Sequence, residues 1–461
     1  MTAEQTDKKP LMTTPSYSFV NEPYKPCLQR NLEGEICGVY HKNSTRNKKL
    51  LFVTTRQFWP PSSGKEVALF HNCKGLNERY GYEIYLFCFA DKKTDKRREV
   101  PAFIHEVKYV DVPGVRRSAP RILWKSLLTG KWPIQTSLFF TPEIAAQLKV
   151  YFEDIKPDAF ILDMVRLAQY IDVLPPMSIP HILIEDDFLA KRYARQLSAR
   201  HNSSIFGYLN DSMPGSLTRL TNTGTVSRAV LRGEIRRLER YEATLPAKFD
   251  YITFVSPIEA AEYNKRYHTD KAVTLTLGAD MDYFEGGIPG ECIPNSVSIV
   301  GNFAYGPNAA SLEWTSTQIL PLLPESISYY VVGNFPQELK EKLHNDKIIA
   351  LGYVDDFRMV IKSTEVYLAP VLFGSGIKTK IVEAMAMGIP VVTNSIGAEG
   401  LDVHNGEELF IEDEPEQIAE RTRQLLADSN LRKEIGRRGQ AFVRKYHNWE
   451  TIYDVFGTIG L

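Results

Sequence analysis

Short, uninterrupted apolar runs alternate with helical segments along most of the chain, and the alternation stops once and then restarts. LLFVTT (50–55) is followed by a turn region, QFWPPSSG (57–64), and by a helical segment from Glu66 to about Tyr80 in which Leu69, Cys73 and Leu76 recur at helical spacing. The rhythm continues through YEIYLFCF (82–89), a helical PEIAAQLKVYFEDI (142–155), DAFILDM (158–164), HILIED (181–186), a long helical stretch around 216–246, and YITFVS (251–256). After GGIPGECIP (286–294) it resumes with SVSIVGN (296–302), a helix from about Asn308, YYVVGN (329–334), IIALGYV (348–354), VYLAPVL (366–372), a helix through 378–387 and IPVVTN (389–394). Strands buried on both faces of a parallel sheet read as continuous apolar runs, so this pattern predicts an α/β protein with two successive doubly wound units.

The organisation follows from where the pattern breaks. Residues 1–46 mix Pro, Thr, Asn and Lys without periodicity and read as a polar leader; 47–285 form a first unit, 286–295 a linker, and 296–447 a second unit. The charged helices 415–428 and 431–446 read as solvated outer faces, and WETIYDVFG (449–457) is amphipathic enough for 448–461 to pack back on another domain.

Composition removes several classes of function. The 55 Lys and Arg against 56 Asp and Glu give a net charge of −1, so no global cationic field calls for nucleic acid. The five cysteines, Cys27, Cys37, Cys73, Cys88 and Cys292, are odd in number and lack CxxC spacing, which suggests neither a disulfide framework nor a zinc site and suits a reducing cytosol. No signal-peptide core and no run of 18 apolar residues is present, so the expectation is a cytoplasmic protein without a membrane span.

In open α/β sheets ligands sit beyond the carboxyl ends of the strands, where loops enter helix N-termini. The richest such loop is FGSGIKTKIVEAMAMGIPVV (373–392). Gly374 and Gly376 permit close backbone approach, the first helical N–H groups suit phosphate oxygens, Lys378 and Lys380 add positive charge, and Glu383 is placed to accept from ribose hydroxyls.

The run GSGIKTKIVEAMAMGIPVVTNSIGAEGL (374–401), with VGNFAYGPNAASLEW (300–314) and LGYVDD (351–356), resembles glycosyltransferase family 4, the retaining nucleotide-sugar transferases of the GT-B fold, and looks most like bacterial enzymes that build capsule, exopolysaccharide or O-antigen chains. Weaker similarity extends through PPSSGKE (60–66), residues 236–263 and LTLGADMDYF (275–284). The resemblance implies two Rossmann-like domains facing a central cleft, with donor on the C-terminal domain, acceptor mostly on the N-terminal one, and a last helix crossing back. It implies a nucleoside diphosphate sugar as co-substrate, no cofactor and no metal, and a saccharide or lipid-linked acceptor. Carried over residue by residue, it places the diphosphate at Ser375, Gly376, Ile377, Lys378, Thr379 and Lys380, and the ribose at Glu383. Gly301 and Asn302, Gly333 and Asn334 become strand-end donor loops, the segment around Tyr353 reads the base, and Gly64 approaches the donor phosphates. Asp163 and Arg166 fall near the reacting sugar, so that with Lys378 they form the expected catalytic set.

Two departures from the family pattern stand out. Ser375 occupies the position of the first of two paired glutamates, and Gly301 to Glu338 contains no Lys or Arg to neutralise a diphosphate. They support a second reading, a catalytically weak subunit or adaptor that binds a nucleotide sugar or a partner transferase. Elsewhere, Glu185, Asp186 and Asp187 end a strand and read either as a base for the acceptor or as helix-capping carboxylates. Arg228, Arg232, Arg236 and Arg240 recur at i,i+4 and read either as an exposed structural face or as a row that meets anionic headgroups or a lipid-linked diphosphate at the inner face of the plasma membrane; Glu234 and Glu239 are expected to dilute it.

Overall fold

A computed structural model describes residues 47–61, 63–91, 94–176, 178–198, 224–286, 291–343, 345–374 and 376–461. Two parallel sheets organise residues 47–461. The first comprises β1 (Lys48–Thr54), β2 (Tyr82–Ala90), β3 (Ile104–Asp111), β4 (Ala159–Asp163), β5 (His181–Asp186), β6 (Tyr251–Phe254) and β7 (Ala272–Thr274), in the order β3-β2-β1-β4-β5-β6-β7. The second comprises β8 (Ser296–Val300), β9 (Ser328–Val332), β10 (Ile348–Gly352), β11 (Val366–Leu368), β12 (Val391–Thr393) and β13 (Phe410–Ile411), in the order β10-β9-β8-β11-β12-β13. Each order reverses once, between β1 and β4 and between β8 and β11, which makes both units Rossmann-like and doubly wound.

β1 shows why such strands are apolar throughout. Leu51 and Val53 join the core on one face of the sheet, Leu50 and Phe52 the core on the other, and all four are fully buried. Truncating Phe52 to Ala would cost about 3–5 kcal/mol. β3, by contrast, has no such signature: it is an edge strand in which Glu106 and Lys108 interrupt the apolar run, and only Ile104 and Val110 are buried. The helix Val115–Arg121 is continued by the wide-turned helical segment Ile122–Leu128, and the apolar pattern predicts neither. The stretch expected around 216–246 is a helix over Gly224–Glu242; residues 216–223 lie outside the described ones.

The helix Trp449–Thr458 packs on the first unit, against the helix Gly64–Glu78. Trp449 stacks on His71 with ring centroids 4.3 Å apart, and Tyr80 donates its hydroxyl to Tyr453 O at 2.7 Å. Gly75 is required there, because a Cβ would fall 2.4 Å from the Tyr453 ring. Ala279 N donates to His447 O at 2.7 Å, so the chain leaving the first sheet and the chain returning to it run side by side. Among the described residues no helix is long and apolar enough to cross a membrane.

Candidate functional site

The strand-end loops of the two sheets face each other. Gly64, which opens the helix Gly64–Glu78 behind its N-cap Ser63, lies so near the start of the helix Thr379–Ala386 that a Cβ on it would come within 3.0 Å of Thr379 Cγ2. Asp187 and Gly376 approach similarly, with 4.0 Å between the Asp187 Cβ and the Cβ position of Gly376. Arg195, on the helix Leu189–Ser198, reaches across to hold both carboxylate oxygens of Glu399, at 2.5 and 2.6 Å, and donates to Gly374 O at 2.9 Å.

On the C-terminal side the expected donor residues converge. Lys378 precedes the helix Thr379–Ala386, whose N-terminus no side chain caps, and its Nζ donates to Gly376 O at 2.6 Å. Burial pushes Lys378 down to about 8, with Glu399 and Glu259 acting in the opposite direction. Ile377 is buried beneath the loop. Lys380 pairs with Glu383 at 2.8 Å and lies over the Phe357 ring at 4.6 Å; burial raises Glu383, and Lys380 works against that shift. Asn334 Nδ2 donates to Asn302 Oδ1 at 3.2 Å. Gly301 N donates to Val332 O at 2.9 Å and Gly333 N to Gly352 O at 2.7 Å, tying three consecutive strand ends together. Tyr353 stands next to them, 82 % exposed. Ser375 lies outside the described residues.

Asp163 and Arg166 are both placed in the N-terminal unit's interior. Asp163 is fully buried at the end of β4, where it accepts from Thr54 Oγ1 and Thr55 Oγ1, each at 3.3 Å, and forms an ion pair with Lys65. Lys65 Nζ also lies 2.6 Å from Asp186 Oδ1. Burial lowers the Lys65 pKa, Asp163 and Asp186 raise it, and the carboxylates win. Arg166 sits with its guanidinium 5.4 Å over the Phe139 ring. Of the acidic run ending β5, Glu185 is buried and accepts from Val165 N, with its pKa pushed well up by burial; Asp187 pairs with Arg192 at 2.8 Å.

Several groups at this cleft escaped the sequence reading. Glu259, in the first turn of the helix Pro257–Tyr267, accepts from Phe188 N and is raised to about 7 by burial and by Asp187. Lys191, Arg192 and Arg195 share one helix beside the cleft, and they bring positive charge from the unit opposite to the one that lacks it between Gly301 and Glu338. Lys65 and Glu399 fall inside the PPSSGKE and GAEGL segments, but their partners are 121 and 204 positions away and leave no local signal. Arg228, Arg232, Arg236 and Arg240 are all exposed on the helix Gly224–Glu242, which packs against the helix Leu189–Ser198.

Two Rossmann-like units opposed at their strand ends constitute the GT-B fold of glycosyltransferases. Residues 294–428 match the family described as "Glycosyl transferases group 1", so the second unit carries a glycosyltransferase group 1 domain. A sucrose-phosphate synthase from Thermosynechococcus elongatus superposes over 89% of this chain and 98% of its own, with a TM-score of 0.64 and 14% identity. Anabaena Alr3699/HepE, solved with UDP and glucose, does so over 89% and 98%, with a TM-score of 0.57 and 15% identity. An uncharacterized 44.6 kDa protein in the cps region of Klebsiella pneumoniae is 22% identical over 220 residues, which is 45% of this chain and 55% of that protein. The chain thus spans about half the length of this curated relative.

Proposed function

We propose that the chain is a retaining glycosyltransferase of the family 4 type that moves a sugar from a nucleoside diphosphate donor to a saccharide or lipid-linked acceptor. The observation that carries this reading is the opposition of Gly64 to the uncapped start of the helix Thr379–Ala386, with Lys378 beside it. Backbone N–H groups at a helix N-terminus together with a half-buried ammonium suit a diphosphate, and they stabilise the charge that develops on it as the sugar leaves. The bond from the anomeric carbon to the phosphate oxygen breaks, the acceptor oxygen bonds to the same face of that carbon, and the acceptor's proton passes to the departing phosphate. Such a step needs no side-chain nucleophile and no metal ion. Asp163 then acts by holding Lys65 and the loop that carries Gly64.

The group 1 match and a neighbour solved with UDP and glucose support the donor class. The relative from a cps region is in keeping with a role in cell-surface polysaccharide synthesis, at the cytoplasmic side. A thermal-shift panel of UDP-, GDP-, ADP- and CMP-sugars tests the reading, since a ligand that binds the folded state at a hundred times its Kd stabilises it by about 2.7 kcal/mol. A shift with one donor, and transfer that survives excess EDTA, are expected. No shift with any donor would overturn the proposal. Donor binding without hydrolysis or transfer by the purified chain would favour the adaptor reading, which draws on Ser375 at the first glutamate position and on the absence of Lys and Arg from Gly301 to Glu338.

A further inference from the structure

The segment Ile122–Leu128 presents an unusual surface for a soluble unit. Its inner side is pinned: Ser126 Oγ is 2.7 Å from Ser137 Oγ and Ile122 packs against the core, while Ser118 Oγ on the preceding helix donates to Leu138 O at 2.9 Å. Its outer side carries Leu123, Trp124, Leu127 and Leu128, which are 53, 61, 57 and 65 % exposed. No other six-residue stretch among the described residues exposes so many large apolar side chains.

The charge around this patch is mostly positive, with Glu143 facing Arg121 and Arg117. From Val112 to Pro142 the sequence contains no Asp or Glu but five basic residues, in a chain whose net charge is −1. The neighbouring helix Gly224–Glu242 adds to it: a Cβ on Gly130 would lie 3.5 Å from Arg240 Nη1, and Ile134 N donates to Glu234 Oε1 at 2.7 Å. The two glutamates expected to dilute the arginine row do not do so. Glu234 is buried and paired with Arg237, and Glu239 is paired with Arg266 at 2.6 Å. Arg240 therefore stands exposed beside the apolar patch, and Arg236 is exposed one turn earlier on the same helix.

A short apolar segment bearing a tryptophan and several leucines, rimmed by Lys and Arg, matches the boundary between acyl chains and anionic headgroups. The apolar side chains enter the upper acyl region, and the cations remain at headgroup level, where each contributes to binding. We propose that Leu123, Trp124, Leu127 and Leu128, together with Arg236 and Arg240, dock the protein on an anionic lipid bilayer. This surface is distinct from the strand-end cleft, and the proposal stands independently of the transfer reaction.

Sedimentation of the full chain with phosphatidylcholine vesicles, with or without 30 % phosphatidylglycerol, tests the idea. Co-sedimentation is expected with the anionic vesicles only, weakening between about 0.15 M and 0.5 M salt. Leu127→Ser/Leu128→Ser and Arg236→Glu/Arg240→Glu should each reduce binding at least tenfold, and melting curves verify that both fold. Trp124 supplies a second measurement that needs no destabilising change: brominated lipid should quench the wild-type emission more than that of Trp124→Phe. Failure to bind anionic vesicles, or equal binding and quenching in wild type and variants, would overturn the proposal. So would a concentration-dependent dimer, lost in Leu127→Ser/Leu128→Ser and insensitive to lipid, which would give the face to a second copy. Donor titration of that leucine variant separates this outcome from any failure of the transferase reading.

Discussion

Arg195 and Glu399 bridge the two Rossmann-like units through a two-pronged ion pair, with nitrogen–oxygen distances of 2.5 and 2.6 Å, while the same guanidinium holds the carbonyl of Gly374. One side chain thus links the helix Leu189–Ser198 to the two C-terminal loops that flank Lys378. Glu399→Gln should loosen the pairing of the units without unfolding either. Because Arg195 is about a third exposed, the stability change should stay within roughly 1 kcal/mol. Small-angle scattering should show a larger radius of gyration than wild type, and an unchanged profile would mean that other contacts set the closure.

Glu383→Ala removes the expected ribose acceptor and releases Lys380. Losing a charge-assisted pair of hydrogen bonds should weaken donor binding by about 1.5–3 kcal/mol in isothermal titration. Unaltered affinity would take Glu383 out of the donor site.

Lys378 should confer a pH dependence on donor binding. Burial holds it down to about 8, so it is charged below that pH and neutral above it. A diphosphate favours the ammonium form, and affinity should be flat below pH 8 and fall by up to about tenfold per pH unit above it. Lys378→Met should bind weakly with a flat profile. A wild-type profile that is flat from pH 7 to 9.5 would contradict the assignment.

Glu242 governs a different pH dependence, that of stability. Burial raises it to about 8 in the fold, against 4.5 ordinarily, so between those values the folded chain binds more protons than the unfolded one. Stability should therefore fall as pH rises from about 4.5 to 8. Glu242→Gln keeps the shape and removes the charge, and its melting temperature should decline less than wild type over that window. Parallel declines would assign the effect to other groups, Glu259 first among them.

Lys65→Met leaves Asp163 and Asp186 facing each other without a cation. Stripping one partner from buried charges costs about 3–5 kcal/mol, a loss that urea titration resolves. Adding Asp163→Asn should recover part of it. A near-neutral single substitution would show that the cluster is better hydrated than its burial implies.

What the sequence disclosed depended on how local the physics was. β1, buried on both faces, announces itself in Leu50 to Val53, and the Gly374–Glu383 loop carries its spacing in consecutive residues. β3 did not, because an edge strand interrupted by Glu106 and Lys108 has no apolar run. The positive charge missing between Gly301 and Glu338 was legible as an absence, whereas Arg192 and Arg195 on the opposing unit were not, since only tertiary structure brings them to the cleft. Glu234 illustrates the same limit: one helical turn decides whether a carboxylate dilutes an arginine row or lies buried behind it.

The return of the helix Trp449–Thr458 onto the first unit has a consequence for the order of events during synthesis. Tyr80 and Tyr453 are 373 positions apart, and until the later one leaves the ribosome, the His71 and Gly75 side of the helix Gly64–Glu78 stays bare. The N-terminal unit therefore emerges first yet is finished last, with a greasy flank that chaperones can hold in the interval. Ribosome-stalled chains lacking residues 449–461 should be digested by protease at that flank, and a separately supplied peptide spanning them should restore protection.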